Sequence, residues 1–194
     1  KGIGFQAVSE RIYPEKKLGS QILGFVNYEG KGQYGIEEKM DDQLRGKDGI
    51  LQSVTDVGNV PLTIGNRNID IPAKNGKGIA LTIDRNVQAY AEQALSSGIK
   101  KLGAPYGSAV VMDPQTGKVL AMANIPSYDP SKYGAVTDAH TFNNGTISDP
   151  YEPGSVIKTF TVAAGINTGT ITPNSTYNNT DSIRVNDRTI VNST

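Results

Sequence analysis

Residues 79–125 constrain this chain's fold more than any other part of it. "IALTI" reads as a strand, Asp84 as an N-cap, and "RNVQAYAEQALSSGIKKLG" as an amphipathic helix. Val87, Ala91, Ala94, Leu95, Ile99 and Leu102 fall on one face of that helix. "GSAVVMD" and "KVLAMANI" then flank "PQTG", where Pro114 and Gly117 suit a tight turn after Asp113. A capped helix running into a hairpin marks a mixed helix-and-sheet chain.

The first 78 residues have a different, turn-rich texture. After "ERIYP", the apolar "LGSQILGFV" leads through Gly-rich "YEGKGQYG" to a predicted helix, "IEEKMDDQLR", whose Ile36, Met40 and Leu44 mark one buried stripe. "GILQSVTDVGNVPL" reads as extended strand, and "PAKNGKG" as punctuation. Beyond the hairpin, a long polar loop over 126–152 precedes a helix that starts near Gly154 and ends at Gly169. "SIRVNDRTIVN" reads as a short hairpin turning at Asn186 and Asp187.

Composition removes several classes of function. Basic and acidic residues balance, 19 against 19, so there is no footprint for nucleic acid. No cysteine is present, which excludes thiolate catalysis, disulfides and Cys-based zinc sites. No apolar run reaches the length of a membrane span. The chain opens on "KGIGFQAVSE" without an initiator Met, which suggests that something precedes it. Asn144, Asn174, Asn178 and Asn192 head Asn-x-Ser/Thr triplets, a frequent accident in an Asn- and Thr-rich chain.

Gly30, Gly32 and Gly35 spell G-x-G-x-x-G, with Asp56 about twenty residues on, as in dinucleotide-binding sites. Electrostatics argues against that reading. Glu37 and Glu38 would occupy the helix turn whose N–H groups must receive a pyrophosphate. The glycines are better read as a turn.

Two Ser-x-x-Lys spacings occur. Ser97 and Lys100 close a helix, where lysine complements the negative end of the dipole. Ser155 and Lys158, in "DPYEPGSVIKTF", open one instead. Pro153 and Gly154 make a sharp entry that leaves the Ser155 N–H among the unpaired donors of the first turn, where it can help form an oxyanion hole. Residues three apart share a helical face, so the Lys158 amine can reach the Ser155 hydroxyl. A helix N-terminus and partial burial in "VIKTFTVAAGI" would lower the lysine's pKa and free a neutral amine to act as base. A lysine reaching from a helix edge to water is the alternative. His140, in the polar loop, reads as solvated surface.

Ser-x-x-Lys is a recognised motif of penicillin-binding proteins and class A β-lactamases. "YEPGSVIK" resembles the active-serine segment of class B penicillin-binding proteins. "RIYP", "ILGFVN", "GIEEKMDDQLRGKDG", "LTIDRNVQAYAEQAL" and "GSAVVMDPQTGKVLAMANIPSYDP" follow that family's order. The resemblance implies an α+β chain: a non-catalytic pedestal, dimerisation-like, over 1–78, then the first part of a penicillin-binding-protein or serine β-lactamase-like transpeptidase domain over 79–194. That domain would be an antiparallel sheet flanked by helices. The family's Ser-x-Asn and Lys-Thr/Ser-Gly motifs do not occur here, so the domain is expected to be incomplete at its C-terminal side.

The resemblance further implies a peptidoglycan D,D-transpeptidase with Ser155 as acylated nucleophile and Lys158 as its proton acceptor, without metal or organic cofactor. Stem peptides, β-lactams, a membrane-embedded glycan polymerase and other wall-synthesis proteins would be its partners. Its place would be the outer face of the cell membrane, on an anchor absent from this chain, and the division type is favoured over elongation. The fragment alone should be weakly active or inactive. Rival readings are a serine β-lactamase or penicillin-sensing domain, and a non-catalytic interaction module.

Overall fold

The computed structural model describes residues 10–52 and 69–192. The chain divides into two compact units, Lys1–Asp149 and Pro150–Thr194.

The first unit opens with α1 (Ser20–Leu23), the antiparallel pair β1 (Phe25–Val26) and β2 (Gly32–Gln33), and the short helices α2 (Gly35–Lys39) and α3 (Asp41–Leu44). Its glycines answer backbone demands. Gly30 and Gly35 have positive φ, and a Cβ on Gly32 would collide with the Glu37 carbonyl. Asp56, the acidic member of the dinucleotide spacing, lies outside the described residues.

The single helix expected over 36–45 is two, because Met40 leaves helical geometry at φ −114°. Beside that break, Asp41 accepts the Gly32 N–H at 3.0 Å and pairs with Arg45. Ile36, Met40 and Leu44 are half-buried, as their spacing predicts. Of the long strand expected after Gly49, Ile50–Gln52 forms β3, antiparallel to β4 (Ile69–Ile71). The remainder of that expectation lies outside the described residues.

The helix α4 (Arg85–Leu102) starts where its cap requires. Asp84 Oδ1 accepts the N–H groups of Asn86 and Val87 at 2.8 and 3.0 Å, and Gly103 closes the far end at φ +66°. The segment 79–83 is not the predicted strand. Among the described residues it is tied to a distant stretch of chain by Thr82 Oγ1 donating to Val119 O and by the neighbouring Asp84 N–H donating to Leu120 O, too few bonds for a ladder.

Val87, Ala91, Leu95 and Ile99 are half-buried, whereas Ala94 and Leu102 face solvent. The deepest side chain of α4 is polar: Gln88, 1% exposed. Its Nε2 donates to Met122 O at 2.8 Å and to Glu92 Oε1 at 2.7 Å, and its Oε1 accepts the Met122 N–H at 2.8 Å. Glu92 Oε1 in turn accepts the Gly19 N–H at 2.8 Å, tying α4 to the start of α1.

The predicted hairpin is present as β5 (Gly107–Met112) and β6 (Val119–Ile125), paired antiparallel with Ala109 opposite Ala123. Asp113 organises the turn by accepting the Gln115 N–H and the Thr116 hydroxyl. These bonds hold its carboxyl below the usual carboxylate range. Leu95 and Ile99 of α4 rest on Gly107, where a Cβ would be 2.8 Å from Ile99.

The loop expected over 126–152 is largely structured. Two 3-10 turns, Pro130–Ala135 and Ala139–Phe142, are capped by Asp129 and Asp138, and α5 (Gly145–Ser148) follows. The reason is aromatic burial. Tyr128 and Phe142 pack with Phe25 of β1, and Tyr133 stacks on Phe25 at 4.2 Å between ring centroids. Gln21 adds polar ties, donating through Nε2 to Pro126 O and Thr141 O. Such ring pairs contribute about 0.5–1.5 kcal/mol each beyond area burial.

The second unit contains a 3-10 turn, Gly154–Val156, running directly into α6 (Ile157–Asn167). Gly169, at φ +71°, ends this run as predicted. The hairpin of β7 (Ser182–Val185) and β8 (Arg188–Val191) follows, with Asn186 at φ +52° in its turn. Among the described residues no helix is long and apolar enough to cross a membrane.

Candidate active site

The helical run of the second unit carries both residues singled out by spacing. Gly154, at φ +55°, takes a left-handed conformation suited to glycine and sets the entry. Ser155 is the middle residue of the 3-10 turn and Lys158 the second residue of α6, one turn further on. The Val156 N–H returns to Pro153 O at 3.2 Å, while the Ser155 N–H has no backbone acceptor among the described residues. No acidic side chain lies in the first turn of α6, so the positive end of the helix is uncompensated.

Two expectations need correction. Lys158 is exposed, not partly buried, and no hydrogen bond joins it to Ser155 among the described residues. The apolar helix around it is exposed as well, with Phe160 at 66% and Val162 at 50%. Ile171, packed at Gly165, is a side chain that the second unit supplies against α6, and it lies far from Ser155 along the helix. The spacing therefore places hydroxyl and amine on one helical face without yet joining them.

The segment leading to this helix holds residues that spacing alone did not single out for chemistry. Asn144 caps α5: its Oδ1 accepts the Thr146 N–H at 3.2 Å and the Thr146 hydroxyl at 2.6 Å. The same oxygen accepts Asn124 Nδ2 at 2.9 Å, from the buried end of β6. Asn144 drew notice only as the head of an Asn-x-Thr triplet; the same Asn and Thr are the signature of a helix cap. His140 is exposed as predicted, yet it pairs with Asp149 Oδ1 at 3.2 Å.

Two family models match the chain. The penicillin-binding protein dimerisation domain matches residues 1–81, and the penicillin-binding protein transpeptidase domain matches 107–194. Probable peptidoglycan D,D-transpeptidase PbpC of Pseudomonas aeruginosa is 39% identical over 167 residues, covering 86% of this chain and 29% of that protein. Peptidoglycan D,D-transpeptidase FtsI of Escherichia coli K12 is 34% identical over 178 residues, covering 91% and 29%.

The chain belongs to the class B penicillin-binding proteins.

Its fold is the one the family resemblance implied, a dimerisation module followed by the start of a transpeptidase domain. Among solved structures, penicillin-binding protein 3 of Mycobacterium tuberculosis complexed with aztreonam superposes with a TM-score of 0.75 at 31% identity. The match covers 95% of this chain and 37% of that one. The same protein complexed with ampicillin gives a TM-score of 0.71 at 31% identity, covering 94% and 36%. This class B chain thus spans about a third of the length of these relatives.

Proposed function

We propose that the protein carrying this chain is a D,D-transpeptidase that cross-links peptidoglycan through an acyl-serine. In this reading residues 1–78 form the non-catalytic module and 79–194 the beginning of the catalytic domain. The Ser155 oxygen attacks the carbonyl carbon of the D-Ala-D-Ala amide, and its proton passes to the Lys158 amine. The tetrahedral oxyanion is met by the outward Ser155 N–H. Collapse breaks the C–N bond, Lys158 returns the proton to the departing D-alanine amine, and a serine ester remains. The amine of a second stem peptide then attacks the ester, forming the cross-link and restoring the serine hydroxyl.

One observation carries the reading: Ser155, whose N–H has no backbone acceptor among the described residues, opens a helical run whose next turn bears Lys158, inside the segment matched by the transpeptidase family. β-Lactams acylate the same oxygen in this scheme, and the working site faces the outside of the cell membrane beside the glycan polymerase it serves.

The test is labelling of the whole protein by a fluorescent penicillin, with the labelled peptide located by mass spectrometry. The adduct is expected on Ser155. Ser155→Ala should abolish it, and Lys158→Ala should slow it by about 10²–10⁴-fold, the range of a general base. A folded whole protein that takes no label, or takes it elsewhere, overturns the proposal.

A further inference from the structure

We propose that Asn75 is a self-modifying site, at which the backbone nitrogen of Gly76 displaces the side-chain amide and leaves aspartate and isoaspartate in its place.

Asn-Gly occurs twice in the chain, at Asn75 and at Asn144. In such a pair the second residue has no Cβ, so its nitrogen can swing toward the asparagine side chain. The two sites differ in what holds the amide. Asn144 Oδ1 accepts the Thr146 N–H at 3.2 Å, Thr146 Oγ1 at 2.6 Å and Asn124 Nδ2 at 2.9 Å, and its Nδ2 donates to Met122 Sδ at 3.3 Å. Ring closure there must first open such bonds, and two of them slow it by about tenfold or more. Asn75 is exposed, and among the described residues its amide makes no hydrogen bond. The Gly76 N–H, which must attack, has no backbone acceptor among them either.

Charge favours the attack. The nucleophile is the deprotonated nitrogen, an anion, and Lys74 and Lys77 flank the pair. Lys47 stands opposite Lys74, the two exchanging backbone hydrogen bonds at 2.8 Å each, which sends both side chains to one face. Among the described residues none of these three lysines has an ionic partner. The Gly76 nitrogen bonds to Asn75 Cγ and the Cγ–Nδ2 bond breaks. The departing nitrogen regains the proton that Gly76 lost and leaves as ammonia. Water then opens the succinimide at either carbonyl. Opening at Cγ gives aspartate; opening at the main-chain carbonyl gives isoaspartate, with Cβ inserted into the backbone.

The turn has no room for that extra main-chain atom. Lys74 is held on Lys47 through both backbone groups, and the Lys77 N–H donates to Gln43 O at 2.7 Å. Between them Gly76 lies so close to Leu44 that a Cβ would collide with its carbonyl oxygen. An isoaspartate at position 75 therefore breaks the Lys77 tie and releases the stretch between β4 and α4 from the end of α3.

The experiment stores the whole protein in mildly alkaline buffer made with heavy-oxygen water and follows each asparagine by peptide mapping. Asn75 should convert at least about tenfold faster than Asn144, to a mixture of aspartate and isoaspartate carrying the heavy oxygen. Asn75→Gln, whose ring would be one atom larger, should stay folded and unconverted. Hydrogen exchange at the Lys77 N–H should quicken in the isoaspartate fraction and remain parental in Asn75→Gln stored alongside. Conversion at Asn75 no faster than at Asn144, or yielding aspartate alone, overturns the proposal. Unchanged exchange at Lys77 in the isoaspartate fraction overturns the loss of the tie. None of these readouts uses acylation, so the transpeptidase reading stands or falls apart from them.

Discussion

Gln88 holds the backbone of Met122 at both of its polar groups, donating to the carbonyl and accepting from the N–H at 2.8 Å each. A side chain thus does what a neighbouring strand would do. Gln88→Ala leaves half-buried Met122 and Glu92 without these partners, so about 3 kcal/mol of unfolding free energy should be lost. Urea denaturation of the variant measures it; a loss below about 1 kcal/mol would mean that water replaces the amide.

Glu37 is buried and, among the described residues, has one ionic partner, Arg11, at 2.7 Å, whose own side chain is 41% exposed. Removing the cation strands a carboxylate. Arg11→Ala should cost about 1–2 kcal/mol, discounted for the solvent around the guanidinium. Adding Glu37→Gln to that variant should restore part of the loss. A double-mutant cycle by denaturation reads the sign directly.

Tyr13 accepts the Val26 N–H, and its hydroxyl is pushed up to about 12, first by burial and then by Glu37. The raised value means that the folded state keeps a proton which the unfolded chain gives up near 10. Stability from this group is whole below about pH 10 and falls as pH climbs toward 12. Tyr13→Phe should flatten the decline in stability between those limits, as followed by denaturation at stepped pH.

Gly32 and Gly30 separate two uses of glycine. A side chain at Gly32 meets the Glu37 backbone, whereas a Cβ at Gly30 meets nothing within 4 Å and only the positive φ must be tolerated. Gly32→Ala should therefore lower the melting temperature sharply or prevent folding. Gly30→Asn should stay within about 1 kcal/mol of the parent, because Asn tolerates left-handed backbone.

What the sequence revealed was local chemistry. Asp84, Pro114 and Gly117 announce a cap and a turn without help from anything distant, and α4 with its hairpin lies where they indicate. "IALTI" reads as a strand from its apolar run, but two bonds to β6 stand where a ladder would be. Residues 126–149 read as loop because their order comes from Phe25 and Gln21, more than a hundred positions earlier. At the candidate site, Ser155 and Lys158 were legible from spacing, whereas burial of the lysine was inferred from apolar neighbours that turn out exposed. Asn124 was invisible among strand residues, since its meaning depends on a partner in a separate element.

The segment 82–88 has one more consequence. Thr82, Asp84 and Gln88 occupy successive hydrogen-bonding groups of Val119, Leu120 and Met122. Those groups of β6 are taken, so among the described residues it is β5 that keeps a free margin for a further strand to meet along its length.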